Sequence, residues 1–414
     1  MLPNRLILCL SLLLCGSAGG AETLHVAPDV YNRIEVAQPD PAAAESLFTE
    51  AQQAAERGEP SLALQLASRV LSLDPNHAVC RQVLGYEEAD GQWVTPHQAK
   101  QAKRGLAWHR LYGWVKPDDL PRLEAGERPI GKRWVDAPTD AKQHARIEDG
   151  WQVRTDHFIV TTNLSPEAGV ILAAELEGLF QVWRQLFAGY YLTEREIAQR
   201  FAGERSARKQ RRLFKVFYHR DKQGYVEHLK RRQPRIAETL GIYFDVAREA
   251  HFFHADNPED LARLRPTLYH EAVHQLFAES SSKGRRAGET ANFWVVEGIA
   301  CCFETLAPLG DGRYQIGQGG RLGTAAAQPA PAPIAQLAAL GRTDYQRQPE
   351  LAQLYAQSTA LAMMLLESDR EALVDYLREV YSGRPGPDGL TKAVGRPFSS
   401  LDTEYRDFRQ NLPR

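Results

Sequence analysis

Three rhythms of apolar residues divide the 414-residue chain. The first is an apolar run from Leu6 to Leu14, interrupted only by Ser11, behind Arg5 and ahead of small residues that reach Ala21. It is shorter than the roughly 18 residues a membrane span needs. A basic start, a short apolar run and small residues, in that order, predict an export signal over 1–21. Residues 22–44 are rich in Ala, Pro and Asp and predict a loose linker. The second rhythm is helical. It runs from about Ala44 to Leu73, with Gly58-Glu59-Pro60 as the turn of a helical hairpin and Pro60 at a helix start. Beyond it, Leu84 to Val94 predicts a short β-hairpin and Pro96 to Trp114 a helix. Residues 45–150 therefore form an N-terminal helical module.

From Trp151 the rhythm alternates between strand and helix. Phe158–Thr162 has the β-branched content of a strand, and Ser165-Pro166 caps a long amphipathic helix ending near Phe187. Leu213–Tyr218, Ile242–Phe244 and His251–Phe253 predict further strands, with a helix beginning between Gly224 and Leu229. After Pro266 helices dominate: Pro266 to about Ser280, Asn292 to Thr305, Leu354 to Glu367, Glu371 to Tyr381 and Ser400 to Asn411. Gly317 to Gly323 is glycine-rich without the spacing of a phosphate loop, and Ala325 to Pro333 predicts a mobile loop. The fold class is α+β, with one domain over 151–414 divided into an α/β part (151–265) and a helical part (266–414).

Charge narrows the function. The chain has 50 basic and 52 acidic residues, a balance that speaks against a nucleic-acid binder. Two basic clusters, Arg205–Arg212 and Lys230-Arg231-Arg232, read as solvated faces. No integral membrane segment follows the export signal. Beyond that signal only Cys80, Cys301 and Cys302 remain, which is no disulfide framework.

The chemistry concentrates in His270-Glu271-Ala272-Val273-His274. On a helix, positions i and i+4 share a face, so His270 and His274 can present two imidazoles to one ion. Glu271 stands beside them, suited to take a proton from water rather than to ligate. Catalytic zinc commonly takes three protein ligands and leaves the fourth position to water. Glu297 follows His274 by 23 residues, in Glu297-Gly298-Ile299-Ala300 on the next predicted helix.

These residues resemble the gluzincins, zinc peptidases with two His on one helix and a Glu on the next. The Glu-Gly-x-Ala form is similar to the peptidase-MA-like branch, and more closely to a secreted, planctomycete-type bacterial family of unknown function. The resemblance runs from about Trp151 to the C-terminus. It implies a zincin-like domain, Zn2+ held by His270, His274 and Glu297, and Glu271 as catalytic base. It further implies that residues 250–254 form the sheet edge along the cleft, with His251 and His254 at the surface. Tyr355, at the start of a Tyr-x-x-Ser helix, is the expected oxyanion donor, with a core or boundary tyrosine as the alternative. Tyr269 points away from the metal face. Two departures stand out. Cys301 occupies the position, four after Glu297, where an orienting carboxylate is usual, which leaves Glu304 as the substitute. The Gly-x-Met-Glu-Asn motif of zinc aminopeptidases is absent. The hairpin at 44–73 resembles a single tetratricopeptide-like unit.

The expected function is thus that of an exported, periplasmic or extracellular zinc metallopeptidase acting on a peptide or protein substrate, with a protein partner for the N-terminal module. The alternative is a non-catalytic, zinc-containing binding or scaffold protein that acts through that module.

Overall fold

The computed structural model describes residues 22–32, 39–204, 212–280, 286–383 and 385–412. The expected export signal and most of the Arg205–Arg212 cluster lie outside them. The chain is a mixed α+β protein. Residues 22–44 differ from the expected linker. They open with strand β1 (Glu22–His25), which pairs antiparallel with residues 313–316, and Leu24, Val26 and Ala27 are buried. Helix α1 (Pro41–Glu56) follows, capped by Asp40 through the Ala43 N–H, and packs against α2 (Pro60–Leu73) across the expected turn. A short helix, α3 (Ala78–Val83), completes this part.

Three hairpin–helix units come next in tandem. They are β2 (Glu87–Ala89), β3 (Gln92–Val94) and α4 (Pro96–Ala102); β4 (Ala107–His109), β5 (Gly113–Val115) and α5 (Leu120–Glu124); and β6 (Glu127–Ile130), β7 (Arg133–Asp136) and α6 (Ala137–Gln143). The helix expected over Pro96–Trp114 therefore stops at Ala102. Gly105, at φ +73°, breaks it, and Trp108 lies opposite Trp114 across the second hairpin. Trp93-Val94, Trp114-Val115 and Trp134-Val135 occupy the second strand of each unit, and Pro96, Pro117 and Pro138 follow at a helix start. This repeat is visible in the sequence, but single short hairpins mask it.

The α/β part holds a five-stranded sheet in the order β11-β12-β10-β9-β8. Its strands are β8 (Trp151–Arg154), β9 (Phe158–Thr162), β10 (Phe214–His219), β11 (Ile242–Phe244) and β12 (Glu249–Phe253). β9, β10 and β12 run parallel, while β8 and β11 are antiparallel edges. The edge is thus β11, not residues 250–254, because the chain turns back at 245–248 and lays β11 outside β12. Between the strands lie α7 (Pro166–Leu186), α8 (Ala188–Tyr191), α9 (Glu194–Phe201) and α10 (Lys222–Leu229). Side chains alternate across a strand. Phe158, Val160, Phe214, Val216, Ala250 and Phe252 enter the main core with Leu172, Leu176 and Leu179 of α7.

The helical part begins with α11 (Pro258–Ser280). It starts two turns before the expected Pro266, which is carried inside the helix. A proline there only removes one backbone donor and kinks the turn. The part continues with α12 (Phe293–Phe303), the hairpin β13 (Ala307–Gly310) and β14 (Arg313–Ile316), α13 (Arg321–Ala327), α14 (Ile334–Ala339), α15 (Arg342–Gln346), α16 (Leu351–Ser368), α17 (Arg370–Ser382), α18 (Gly389–Val394) and α19 (Phe398–Gln410). The stretch expected as a mobile loop, Ala325–Pro333, is instead tied down. It begins inside α13, and Ala332 exchanges two backbone hydrogen bonds with the Gln357 amide of α16, at 3.0 and 2.6 Å. Among the described residues no helix is long and apolar enough to cross a membrane.

A polar network joins the N-terminal units to the α/β part. Asp29 accepts hydrogen bonds from the Tyr31 and Asn32 N–H groups, the Tyr86 hydroxyl and the Gln181 amide, at 2.8–3.2 Å. Asp156 accepts from the Tyr31 hydroxyl at 2.6 Å and from Thr95, and Glu177 accepts from His157 N–H at 2.8 Å. Burial pushes the Asp29 carboxyl up to about 6. The Asn32 N–H opposes this, and the charges of Glu177 and Asp156 add to it. The folded chain therefore holds this proton more tightly than the unfolded chain. The stability it confers is present below pH ~4 and lost as pH rises through about 6. Asp29→Asn is expected to remove that share of the pH dependence, read as a flatter change in urea midpoint between pH 4 and 6.

Candidate metal centre

Two helices build the centre. The α11 face carrying His270 and His274 looks toward α12, every residue of which from Phe293 to Phe303 is buried. Asn292, in the left-handed region at φ 62°, starts α12. Its side-chain oxygen accepts from the Tyr376 hydroxyl at 2.6 Å and its amide donates to the Gly386 carbonyl at 2.9 Å. Asn tolerates this backbone conformation better than most residues. Nearly two turns further, Gly298 lets α12 lie directly on α16. A Cβ there would stand 2.5 Å from the Ser358 carbonyl oxygen. Glu297, the residue before it, is only 7 % exposed and is no surface carboxylate.

The three expected ligands converge. His270 Nε2 lies 3.0 Å from His274 Nε2 and 3.3 Å from Glu297 Oε2, and His274 Nε2 lies 3.7 Å from the same oxygen. Three ligands on one tetrahedral ion at about 2.0–2.1 Å stand about 3.3 Å apart, so the set fits a divalent cation. The surroundings favour positive charge at this point. Burial pushes His270 down, but hydrogen bonds involving Cys301, Glu297 and Glu304 outweigh it and hold its pKa well above the ordinary histidine value. Glu297 is held below the usual carboxylate range: burial opposes this, and the adjacent His274 and His270 prevail.

Behind the ligands, Glu304 Oε1 lies 2.9 Å from His270 Nδ1, and Cys301 Sγ lies 3.8 Å from the same nitrogen. Position 301 therefore does face the histidine, but the carboxylate comes from one turn further along. Burial opposes ionisation of Glu304, yet His270 and Arg321 keep it below its ordinary pKa. An ionised carboxylate only accepts, so His270 donates from Nδ1 and turns Nε2 toward the centre. Arg321 grips Glu304 with two bonds, at 2.9 and 3.2 Å, and its guanidinium lies 4.9 Å from the centre of the Tyr355 ring. Sequence pattern offered no sign of Arg321, which reaches the site from the first residue of α13.

Glu271 is anchored from the sheet. Its Oε2 accepts from the Tyr243 N–H of edge strand β11 at 2.8 Å. Burial raises its carboxyl above the ordinary range, with the two histidines opposing. Tyr355 stands near the centre, packed edge-to-face on Tyr345 at 5.4 Å. Its hydroxyl is raised first by burial and then by the charge of Glu297. A second tyrosine, Tyr381, was not anticipated. It is buried against Phe277, at 5.4 Å between ring centres, and its hydroxyl also feels Glu297. Tyr269 turns away, as expected, and donates to Glu175 at 2.6 Å. His251 is not a surface residue: it is 1 % exposed, on the opposite face of the sheet from the main core. His254, partly exposed, pairs with the Tyr218 hydroxyl at 2.9 Å.

Residues 265–386 match the model of a family described as a protein of unknown function (DUF1570). That span holds all three converging side chains, Glu271, Glu304, Arg321, Tyr355 and Tyr381. No curated protein matches the chain.

Because Gly298 sets the distance between α12 and α16, a methyl group there must push the helices apart. Gly298→Ala is expected to cost about 1–3 kcal/mol in urea unfolding.

Proposed function

We propose that this chain is a zinc-dependent peptidase of the gluzincin type, with a zincin-like domain over 151–414 and a tetratricopeptide-like hairpin ahead of it. The observation that carries this reading is the convergence of His270, His274 and Glu297 within 3.0–3.7 Å, with Glu271 on the adjoining helix position. His270, His274 and Glu297 would hold the ion. A zinc ion bound there supplies a Lewis acid and brings the pKa of its water to about 7.

The chain's own groups do the rest. The Tyr243 N–H holds one Glu271 oxygen and leaves the other for the attacking water. Glu271 takes the water's proton and hands it to the leaving amine, and its raised pKa suits both tasks. A peptide laid along the free side of β11 would bring its backbone beside Glu271, since an exposed sheet edge offers unpaired backbone groups to an extended chain. Tyr355 is the proposed donor to the oxyanion, with Arg321 fixing its ring. Glu304 orients His270, and Arg321 orients Glu304. The substrate is a peptide or protein. The proposed location is outside the cytoplasm, on the strength of the leader-like start at 1–21.

Glu271→Gln is expected to keep the metal and lose peptide cleavage by about 10²–10⁴-fold, measured on a peptide library with and without chelator. Cleavage that survives this change, or a purified chain without zinc, would sink the proposal. Glu304→Gln is expected to weaken metal affinity about 10–100-fold in a competition titration.

A further inference from the structure

On the sheet face opposite the main core, three histidines meet. His219 ends β10, His251 lies in β12 and His228 sits on α10. Their ring centres are 5.3, 5.5 and 5.7 Å apart. Three imidazoles on one tetrahedral ion have ring centres about 5.2 Å apart and ligand nitrogens about 3.3 Å apart. His219 Nε2 and His251 Nδ1 are already 3.2 Å apart, and both residues are 1 % exposed.

The far nitrogens point the same way. A metal-ligating histidine almost always turns its other nitrogen to a carboxylate, carbonyl or water. His228 Nδ1 meets Glu148 at 3.1 Å, and His251 Nε2 faces Glu249 at 3.8 Å. Glu249 also accepts from Arg232 at 3.1 Å, which holds the carboxylate in place beside the His251 ring. His219 Nε2 and His251 Nδ1 share one hydrogen bond, so one of the two carries a proton at the point where a cation would take its place. Three imidazoles backed by two carboxylates are a donor set for a divalent cation of the zinc, nickel and copper group.

We propose that His219, His251 and His228 form a second metal site, separate from the His270 centre, which takes one such divalent cation in place of the proton shared by His219 and His251. One nitrogen from each ring does not yet lie within 4.8 Å of the other two. Closure requires the His228 ring, 25 % exposed, to swing Nε2 inward about its contact with Glu148. The ion would staple α10 to the sheet behind β11. Phe244 of that strand packs edge-on against His251, at 5.7 Å, so the strand that anchors Glu271 would stiffen with it.

The test is a count of ions on the full chain, stripped with chelator, reloaded with Zn2+, desalted and weighed by native mass spectrometry. The His270→Ala/His274→Ala double variant removes the first centre and is expected to keep one zinc. Adding His228→Ala is expected to lose it, with circular dichroism unchanged. Loading the double variant with Co2+ should give the visible absorption of a nitrogen-ligated ion, and His228→Ala should remove it. A double variant that holds no ion, or one that holds it equally well without His228, overturns the proposal. The proposed peptidase centre is judged separately, by whether wild type carries one zinc more than the double variant.

Discussion

The close approach of α12 to α16 at Gly298 is the constraint on which the rest depends. It places a helix with no exposed residue at the centre of the domain, and that helix carries a carboxylate. A buried charge needs partners, or its desolvation goes uncompensated. Here the partners are the two histidines of α11, which face Glu297 because i and i+4 share a side of the helix. Asn292 and Tyr376 fix the start of α12, and Gly298 fixes its depth. The two helices thus meet with their polar atoms already at ligand spacing, so little reorganisation is left for an incoming cation to drive.

Outside the ligands, order is passed along a chain of contacts rather than held by one rigid element. His270 leans on Glu304, Glu304 on Arg321, and Arg321 on the Tyr355 ring. Each link joins a different helix: α11, α12, α13 and α16. On the other side Glu271 leans on the backbone of β11. The centre is therefore clamped between the helical part and the edge of the sheet, and motion of either part reaches it.

What could be read from sequence was what spacing within one helix determines. His270, His274 and Glu271 are related by helical geometry alone, and Tyr269 faces away for the same reason. Glu304 could be singled out because it stands seven residues after Glu297, on the same side of α12. Contacts between distant segments left no such trace. Arg321 is an ordinary charge beside glycines, and only tertiary packing brings it to Glu304. Strand order failed in the same way. β12 has the apolar content of a cleft-lining strand, but the turn at 245–248 places the shorter β11 outside it. The second N-terminal hairpin was missed because strands of three residues show too little alternation to separate from a helix. β1 was lost to an Ala- and Pro-rich neighbourhood whose composition suggests a tether.

β1 has a consequence for how the molecule is made. Glu22 lies opposite Ile316, so the small sheet β1-β14-β13 closes a loop that runs from residue 22 to residue 316. Arg370 of α17 holds Glu22 through two bonds, at 2.8 and 2.9 Å, from still further along. Contacts this remote in sequence form late, since loop closure must come before they return any stability. The first of the described strands thus waits for the last third to be synthesised before it can pair, although Leu24 and Val26 end up buried. The fold is finished by its beginning.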